Sequence, residues 1–251
     1  VHVLGDVGMG LWSLEFQRAD DPSIEPGGFA LAENISPPVW SPSLFLGWDF
    51  GLDWFQATIG FYGPYAGDLG FDSTGPQRYS LIYIDMFQAV YQAAVAFRPL
   101  RWLAIGAAFQ IMDLRLTQSV KLSGYTGFEP LGPPESPTHD IRVEVDVANH
   151  FNPSGFFGIW AAPADWVDLG VSVQLPVETE ANGTVTATLP SDNALLRYAW
   201  VDGQDVTVRL ALATVLRAGA AFRLPHRFEL EVNVWAEFWE PHETIMTEVH
   251  D

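Results

Sequence analysis

The chain contains no cysteine. Disulfide staples, thiolate chemistry and cysteine-based zinc sites are thereby excluded. Cations are scarce, since 12 Lys and Arg stand against 31 Asp and Glu for a formal net charge of −19. A nucleic-acid partner needs clustered Lys and Arg to neutralise phosphates, so that class is excluded as well. No apolar run reaches the roughly 18 residues of a transmembrane helix, although 48% of residues are hydrophobic. The six histidines, among them His139, His150, His226, His242 and His250, lack metal-ligand spacing. Ser, His and Asp occur without a Gly-x-Ser-x-Gly elbow. The sequence therefore calls for no catalytic residues, no metal and no cofactor, and the reading is of a non-enzyme.

Aromatics are abundant, with ten Trp, seven Tyr and 17 Phe. Three of them follow a repeated tight turn: Phe97-Arg98-Pro99-Leu100-Arg101-Trp102, Ala161-Ala162-Pro163-Ala164-Asp165-Trp166 and Phe222-Arg223-Leu224-Pro225-His226-Arg227-Phe228. Long segments of period two flank each turn. From Val206 to Phe222 the even positions are apolar apart from Thr214, including Val206, Val208, Leu210, Leu212 and Leu216, against Arg209, Ala213, Arg217 and Gly219 on the other face. Phe228, Leu230, Val232, Val234 and Phe238 likewise oppose Glu229, Glu231, Asn233 and Glu237. Alternation alone does not say which face meets lipid, and a soluble β-sandwich or lectin-like domain would alternate too. Soluble strands usually run about 5 or 6 residues. Several segments here sustain the pattern far longer, enough to cross an apolar band roughly 25 Å tall when tilted. The predicted fold class is all-β, an antiparallel transmembrane β-barrel with aromatic girdles and a lumen of small and charged residues.

Nine strands are predicted, over residues 5–18, 38–50, 53–62, 79–97, 101–121, 139–161, 165–189, 204–224 and 227–249. Connections at 51–52, 98–100, 162–164 and 225–226 are tight, and those at 19–37, 63–78, 122–138 and 190–203 are long and rich in Gly, Pro, Ser and Asp. No linker divides the chain, so residues 1–251 read as one barrel domain. Bacterial single-chain barrels have even strand numbers. The expectation is therefore a portion of a larger barrel, any signal peptide having been removed ahead of Val1.

In order along the chain, several stretches resemble one family. They are Asn34–Leu44 leading into the second strand, Gly60-Phe61-Tyr62-Gly63-Pro64-Tyr65 ending the third, Ala93–Gly106, Gly155–Trp166 with Leu169–Ser172, and Leu216–Phe222 followed by Trp235–Trp239. The chain is similar to the FadL/TodX family of long-chain fatty acid and hydrocarbon transporters of Gram-negative outer membranes. That resemblance implies a 14-stranded barrel with an N-terminal hatch, an extracellular capture groove, and lateral release into the bilayer beside a kinked third strand. The expected partners are a hydrophobic ligand such as a fatty acid, lipid or detergent, and outer-membrane lipid. The hatch with its Asn-Pro-Ala stretch and about five strands are not found in this sequence.

The lateral gate is expected at Gly60, Phe61, Tyr62, Gly63, Pro64 and Tyr65, because Pro lacks an N–H and Gly suits a bulge. The same residues would also serve as an ordinary strand end. Arg115 matches an arginine that the family places near the ligand carboxylate, and an ion pair with Asp113 is the alternative. Arg209, Arg217, Glu229 and Glu231 are expected to pair inside the lumen. Phe61, Tyr65, Phe71 and Phe128 are candidates for apolar lining.

Overall fold

Alternation of β-branched, aromatic and small residues builds strands whose two faces differ in chemistry, and the right-handed twist of each strand accumulates across the sheet into its curl. The computed structural model describes residues 1–63, 67–125, 135–190, 204–225, 228–239 and 246–250. Its strands are β1 (His2–Gly10), β2 (Glu15–Phe16), β3 (Ala32–Glu33), β4 (Val39–Trp48), β5 (Phe55–Tyr62), β6 (Gly67–Gly70), β7 (Tyr83–Leu100), β8 (Leu103–Ser123), β9 (Asp140–Ala164), β10 (Val167–Gln174), β11 (Val177–Thr188), β12 (Asp205–Leu212), β13 (Thr214–Arg223), β14 (Glu229–Phe238) and β15 (Met246–His250). All but β2 and β3 join one sheet, whose main path of nine antiparallel strands runs β1-β4-β5-β7-β8-β9-β10-β13-β14. β6 extends the partner line of β7, while β11, β12 and β15 branch from the upper half of β9.

The short turns between β4 and β5, β7 and β8, β9 and β10, and β13 and β14 fall at one end of this meander. Trp54, Trp102, Trp166 and Phe228 stand exposed there. The carbonyl of each accepts a hydrogen bond from another strand or turn residue: Arg98 N to Trp54 O at 2.8 Å, Ala162 N to Trp102 O at 2.7 Å, Arg223 N to Trp166 O at 2.8 Å, and Leu224 N to Phe228 O at 2.8 Å. Trp54 packs edge-on against Phe97 and Trp166 stacks on Phe222. The expected girdle is thus one end of the sheet.

Above the girdle the convex face is apolar. Ile105, Phe109, Phe157, Ile159, Val171 and Val234 are 45% to 64% exposed. The concave face holds Ala94, Ala96, Gly106, Ala108, Gly158, Gly170 and Gly219, with Gln56, Gln92, Asp168, Arg217, Glu231 and Asn233 among them, around a trough of about 820 Å³. Crossing a membrane takes about 9–11 strand residues. β7, β8 and β9 have 18, 21 and 25 residues, so their upper halves project beyond any apolar band.

Those upper halves differ from the sequence expectation. The single even face from Val206 to Phe222 is interrupted at Ala213, which separates β12 from β13. Arg217, Gly219 and Ala221 line the trough on β13, but on β12 it is Val206 and Val208 that turn inward, joining Val90, Met112, Leu114, Val147, Val177 and Ala181 in a dry core with Leu210 and Leu212 packed on it. β10 and β11 switch in the same way across Leu175 and Pro176, and Pro176 has no N–H to keep the ladder going. The register between the two broken strands is nevertheless preserved, with Gln174 opposite Val215 below and Val177 opposite Leu212 above. β9 switches at a bulge where His150 and Phe151 oppose the single residue Asp113. Three adjacent lines of strand therefore change faces in the same part of the sheet. The last predicted strand is also two elements, since β15 pairs with β12 and not with β13.

Gly170 faces the trough with no atom within 4 Å of an added Cβ, whereas its neighbour Leu169 is on the convex face and 43% exposed. Leu169→Arg, three residues inside the Trp166 girdle, should lower folding stability in a bilayer by about 1–2 kcal/mol, between the interface and midplane costs, and Gly170→Arg by much less. Urea unfolding in lipid vesicles measures both, and equal losses would contradict the assignment of faces.

Candidate functional site

Tyr62, Val90, Met112 and Asn152 are successive partners across β5, β7, β8 and β9. The ladder changes character along this row. The β4–β5 ladder ends at Ser43 opposite Tyr62, so that among the described residues Val39–Pro42 pair with β1 alone. β5 and β6 both pair with β7, but the register advances by one residue, from Tyr62 opposite Val90 to Gly67 opposite Met86. Side chains bracket the break. Ser41 Oγ donates to Gly63 O at 2.7 Å, and further on Gly70 N donates to Ser36 Oγ at 3.0 Å while Ile35 N donates to Gly70 O at 2.8 Å.

Gly60 is held to glycine by packing. A Cβ there would stand 2.3 Å from Phe45 Cδ1 and 2.5 Å from the Leu44 carbonyl oxygen. The Phe45 ring lies across this bare backbone, with its centre 6.2 Å from that of Tyr62. Phe61 points the other way, into an apolar groove of the convex face with Leu44, Ile59, Tyr91, Phe109 and Ile111. On the inner side Gln110 Nε2 donates to the Tyr62 hydroxyl at 3.2 Å and to Gln92 Oε1 at 2.7 Å.

At the far side of the same row the ladder between β9 and β10–β11 lapses from Asn149 to Gly155. One backbone bond remains there, Leu175 N to Gly155 O at 2.9 Å, and side chains supply the rest: Asn152 Oδ1 accepts from Thr179, Asn149 Nδ2 donates to Glu180 O at 2.9 Å, and Ser154 Oγ donates to Leu175 O at 3.0 Å, while Asn152 Nδ2 donates to Met112 O of β8 at 2.9 Å.

Above the core, charged groups tie the connections to the strand tips. Arg78 is buried and its Nε donates to Asp140 Oδ2 at 2.7 Å, while Lys121 Nζ lies 3.7 Å from the same oxygen. Tyr79 donates to Asp140 Oδ1 at 2.7 Å; burial, then that carboxylate, pushes its hydroxyl up to about 12. Arg18 grips Glu135 through two bonds of 2.6 and 2.8 Å, and this hydrogen bonding raises its pKa.

The expected site residues are thus distributed over several places. Gly60, Phe61, Tyr62 and Gly63 sit together at the ladder break, while Pro64, Tyr65 and Phe128 lie outside the described residues. Phe71 is buried in a connection. Arg115 lies on the convex face, exposed, 3.6 Å from Asp113, which His150 Nδ1 also approaches at 2.9 Å; Arg115 does not face the trough. Arg209 also turns outward, because β12 has changed faces, and pairs with Glu180 at 3.3 Å and Glu248 at 3.0 Å. Arg217 and Glu231 line the trough, but Arg217 stands opposite Trp235 and bonds Gln174. The concave ion pair is instead Arg223 with Asp168, and Glu229 lies opposite Arg223. The face switches were hidden from sequence reasoning; Pro176 and the His150-Phe151-Asn152 stretch were the available signals. Among the described residues no group of His, Asp or Glu converges as a metal site.

No protein-family model and no curated protein matches the chain. Solved structures do. A Pseudomonas aeruginosa FadL homologue superposes with a TM-score of 0.75 at 15% identity, over 99% of this chain and 61% of that protein. The fold is that of the FadL-type barrels. The Ralstonia pickettii toluene transporter TbuX gives a TM-score of 0.66 at 12% identity over 84% of this chain and 59% of its own, and the Pseudomonas putida toluene transporter TodX gives 0.60 at 14% identity over 95% and 60%. The chain therefore spans less than two thirds of the length of these FadL-type proteins.

Gly60→Ala should lower stability by about 1–3 kcal/mol through overpacking. Adding Phe45→Ala should recover part of that loss and no more, since the Leu44 carbonyl remains. A double-mutant cycle by urea unfolding checks it, and additive effects would show that the ring does not rest on Gly60.

Proposed function

We propose that the chain forms wall of a passive outer-membrane transporter for hydrophobic small molecules, a non-enzyme that releases its cargo sideways at the break after Tyr62. The observation that carries this reading is the end of the β4–β5 ladder at Ser43 and Tyr62, beyond which, among the described residues, β6 has β7 as its ladder partner and meets the chain before β4 only at Gly70, through Ile35 and Ser36. An unpaired stretch of wall is where an apolar molecule passes without entering water. The apolar groove at Phe61, Tyr91 and Phe109 lies next to the break on the convex face, so a departing chain meets apolar surface at once. Each buried CH₂ contributes about 0.8 kcal/mol, which makes such a path downhill for an acyl or aryl group. The polar trough alone would suit a general pore. The dry core above it supports the hydrophobic reading, since buried Leu114, Ala181 and Val206 offer water no partner. Likeness to proteins named as FadL homologue and toluene transporters supports the same class and an outer-membrane location.

Ser41 and Gly63 are apposed, with an added Cβ at Gly63 only 3.6 Å from Ser41 Oγ. A Ser41→Cys, Gly63→Cys pair in this cysteine-free chain can therefore be oxidised across the break. Oxidation should cut cellular uptake of a labelled hydrophobe several-fold, and reductant should restore it. Undiminished uptake by the oxidised, folded protein would remove the lateral route.

A further inference from the structure

Between β1 and β4 the chain leaves the wall over residues 11–36 and forms a small body of its own. β2 and β3 pair only with each other, in a sheet separate from the wall. Asn34 clamps this pair, its Oδ1 accepting from Leu14 N at 2.7 Å and its Nδ2 donating to Trp12 O at 3.0 Å, while Gln17 Nε2 donates to Phe29 O at 3.0 Å across the loop beyond. The segment is tied internally and can move as one piece. Its packing against the rest of the molecule is thin, because Ala32 is its one buried residue. A cavity of about 430 Å³ lies between Ile24, Phe29 and Ala30 on this segment and Pro76 and Pro137 on neighbouring connections. Few buried contacts mean a low local stability.

Among the described residues, hydrogen bonds and ion pairs join the segment to the rest of the molecule at two places. At its base Ile35 N donates to Gly70 O at 2.8 Å and Gly70 N donates to Ser36 Oγ at 3.0 Å, and these ties close the ladder break at its upper end. At its far side the Arg18 guanidinium, lying over the Phe29 ring at 4.4 Å, grips both carboxylate oxygens of Glu135. Glu135 is a fixed post. Its carbonyl accepts from Arg78, which is itself buried against Asp140, and its φ of 58° is a left-handed conformation that a residue with a side chain holds only where its surroundings impose it. A bidentate fork is among the stronger polar contacts. Without it, the Gly70 bonds are the polar tie that remains.

We propose that residues 11–36 are a hinged flap closing the upper end of the lateral break, latched shut by the Arg18–Glu135 fork. Swinging out, the flap carries Ile35 and Ser36 away from Gly70, so the break lengthens toward the outer end of the wall and admits a longer hydrophobe. The flap rests on the transport reading for its purpose but not for its latch.

Chymotrypsin cleavage of the purified protein in detergent, with cut sites mapped by mass spectrometry, reads the latch, since a protease cuts chain that is free to leave its folded conformation. Arg18→Met and Glu135→Gly should each raise cleavage within residues 11–36, at Phe29 and Leu31, by about tenfold or more, as loss of a charge-assisted contact allows. Cleavage of the wall should not change, and glycine suits the left-handed backbone at 135. The double variant should be cut no faster than the faster single, because both substitutions remove one contact. Unchanged cleavage in both singles, or increases that add, would overturn the latch. Arg18→Cys with Glu135→Cys, joined by a bis-maleimide in this cysteine-free chain, should lock the flap, suppress that cleavage and cut cellular uptake of radiolabelled dodecane several-fold. Undiminished uptake with the flap locked, where the Ser41–Gly63 crosslink does block uptake, would overturn the flap's part in the exit. Because cleavage is measured without transport, a latch that reads as expected while the Ser41–Gly63 crosslink leaves uptake undiminished would condemn the exit route and not the latch.

Discussion

Backbone amides in an apolar surround have nowhere to turn except to each other, and the placement of every other feature of this sheet follows from where that requirement holds and where it lapses. From the aromatic girdle up to the row of Tyr62, Val90, Met112 and Asn152 the ladders between β4 and β9 are unbroken. Beyond that row they lapse at two places on opposite flanks. At one, Ser41 and Ser36 hydroxyls stand in for missing strand partners. At the other, Asn149, Asn152, Ser154 and Thr179 do so. Side-chain substitutes of this kind work where protein surrounds the backbone and fail in open hydrocarbon, so each lapse depends on the side chains that bracket it.

The same row is where the sheet reverses its chemistry. Below it, bulky residues stand on the convex side and small or polar ones line the trough; above it, valines and leucines of β9, β11 and β12 turn inward onto Met112 and Leu114. A strand keeps its alternation along its whole length, so it can change faces only by inserting or losing one step. β9 does so with the bulge at Asp113, β10–β11 with Leu175-Pro176, and β12–β13 with Ala213. Each inward Val or Leu contributes about 1.5–3 kcal/mol when it leaves water. The device gives the upper barrel a core of its own, with the register kept between β10–β11 and β12–β13 and advanced by one residue at the β9 bulge, and the outward Arg209, Glu180 and Glu248 ladder is its solvated reverse side.

Much of this was legible in the residues. Period two, strand length and the three proline turns were enough for the nine-strand path, its antiparallel meander and the girdle of Trp102, Trp166 and Phe228. Gly63 stands just past the last β4–β5 pair, whereas Gly60 is paired with both Phe45 and Gln92 and is a close-packing position inside the ladder. What alternation could not reveal is a change of phase. Val206, Val208, Leu210 and Leu212 continue the even apolar run of Leu216, Ala218 and Phe222 without interruption, and only tertiary packing shows that the two halves face opposite ways. Arg209 is read as lumenal for that reason: a charge on a strand is placed in the lumen when the apolar face is taken to be lipid-facing throughout. Sequence also gave no sign of the polar cluster at Tyr62, Gln92 and Gln110, whose members come from three strands far apart in the chain.

The phase change is the claim on which this account turns, and a chain without cysteine permits its direct measurement. Single cysteines placed at each position from Val206 to Phe222 can carry a nitroxide label, and collision with oxygen dissolved in lipid reports which labels face hydrocarbon. The account predicts strong oxygen contact at the even positions Leu216, Ala218, Ala220 and Phe222, and protection at Val206, Val208 and Leu210. One unbroken even-numbered pattern of oxygen contact through Ala213 would contradict it.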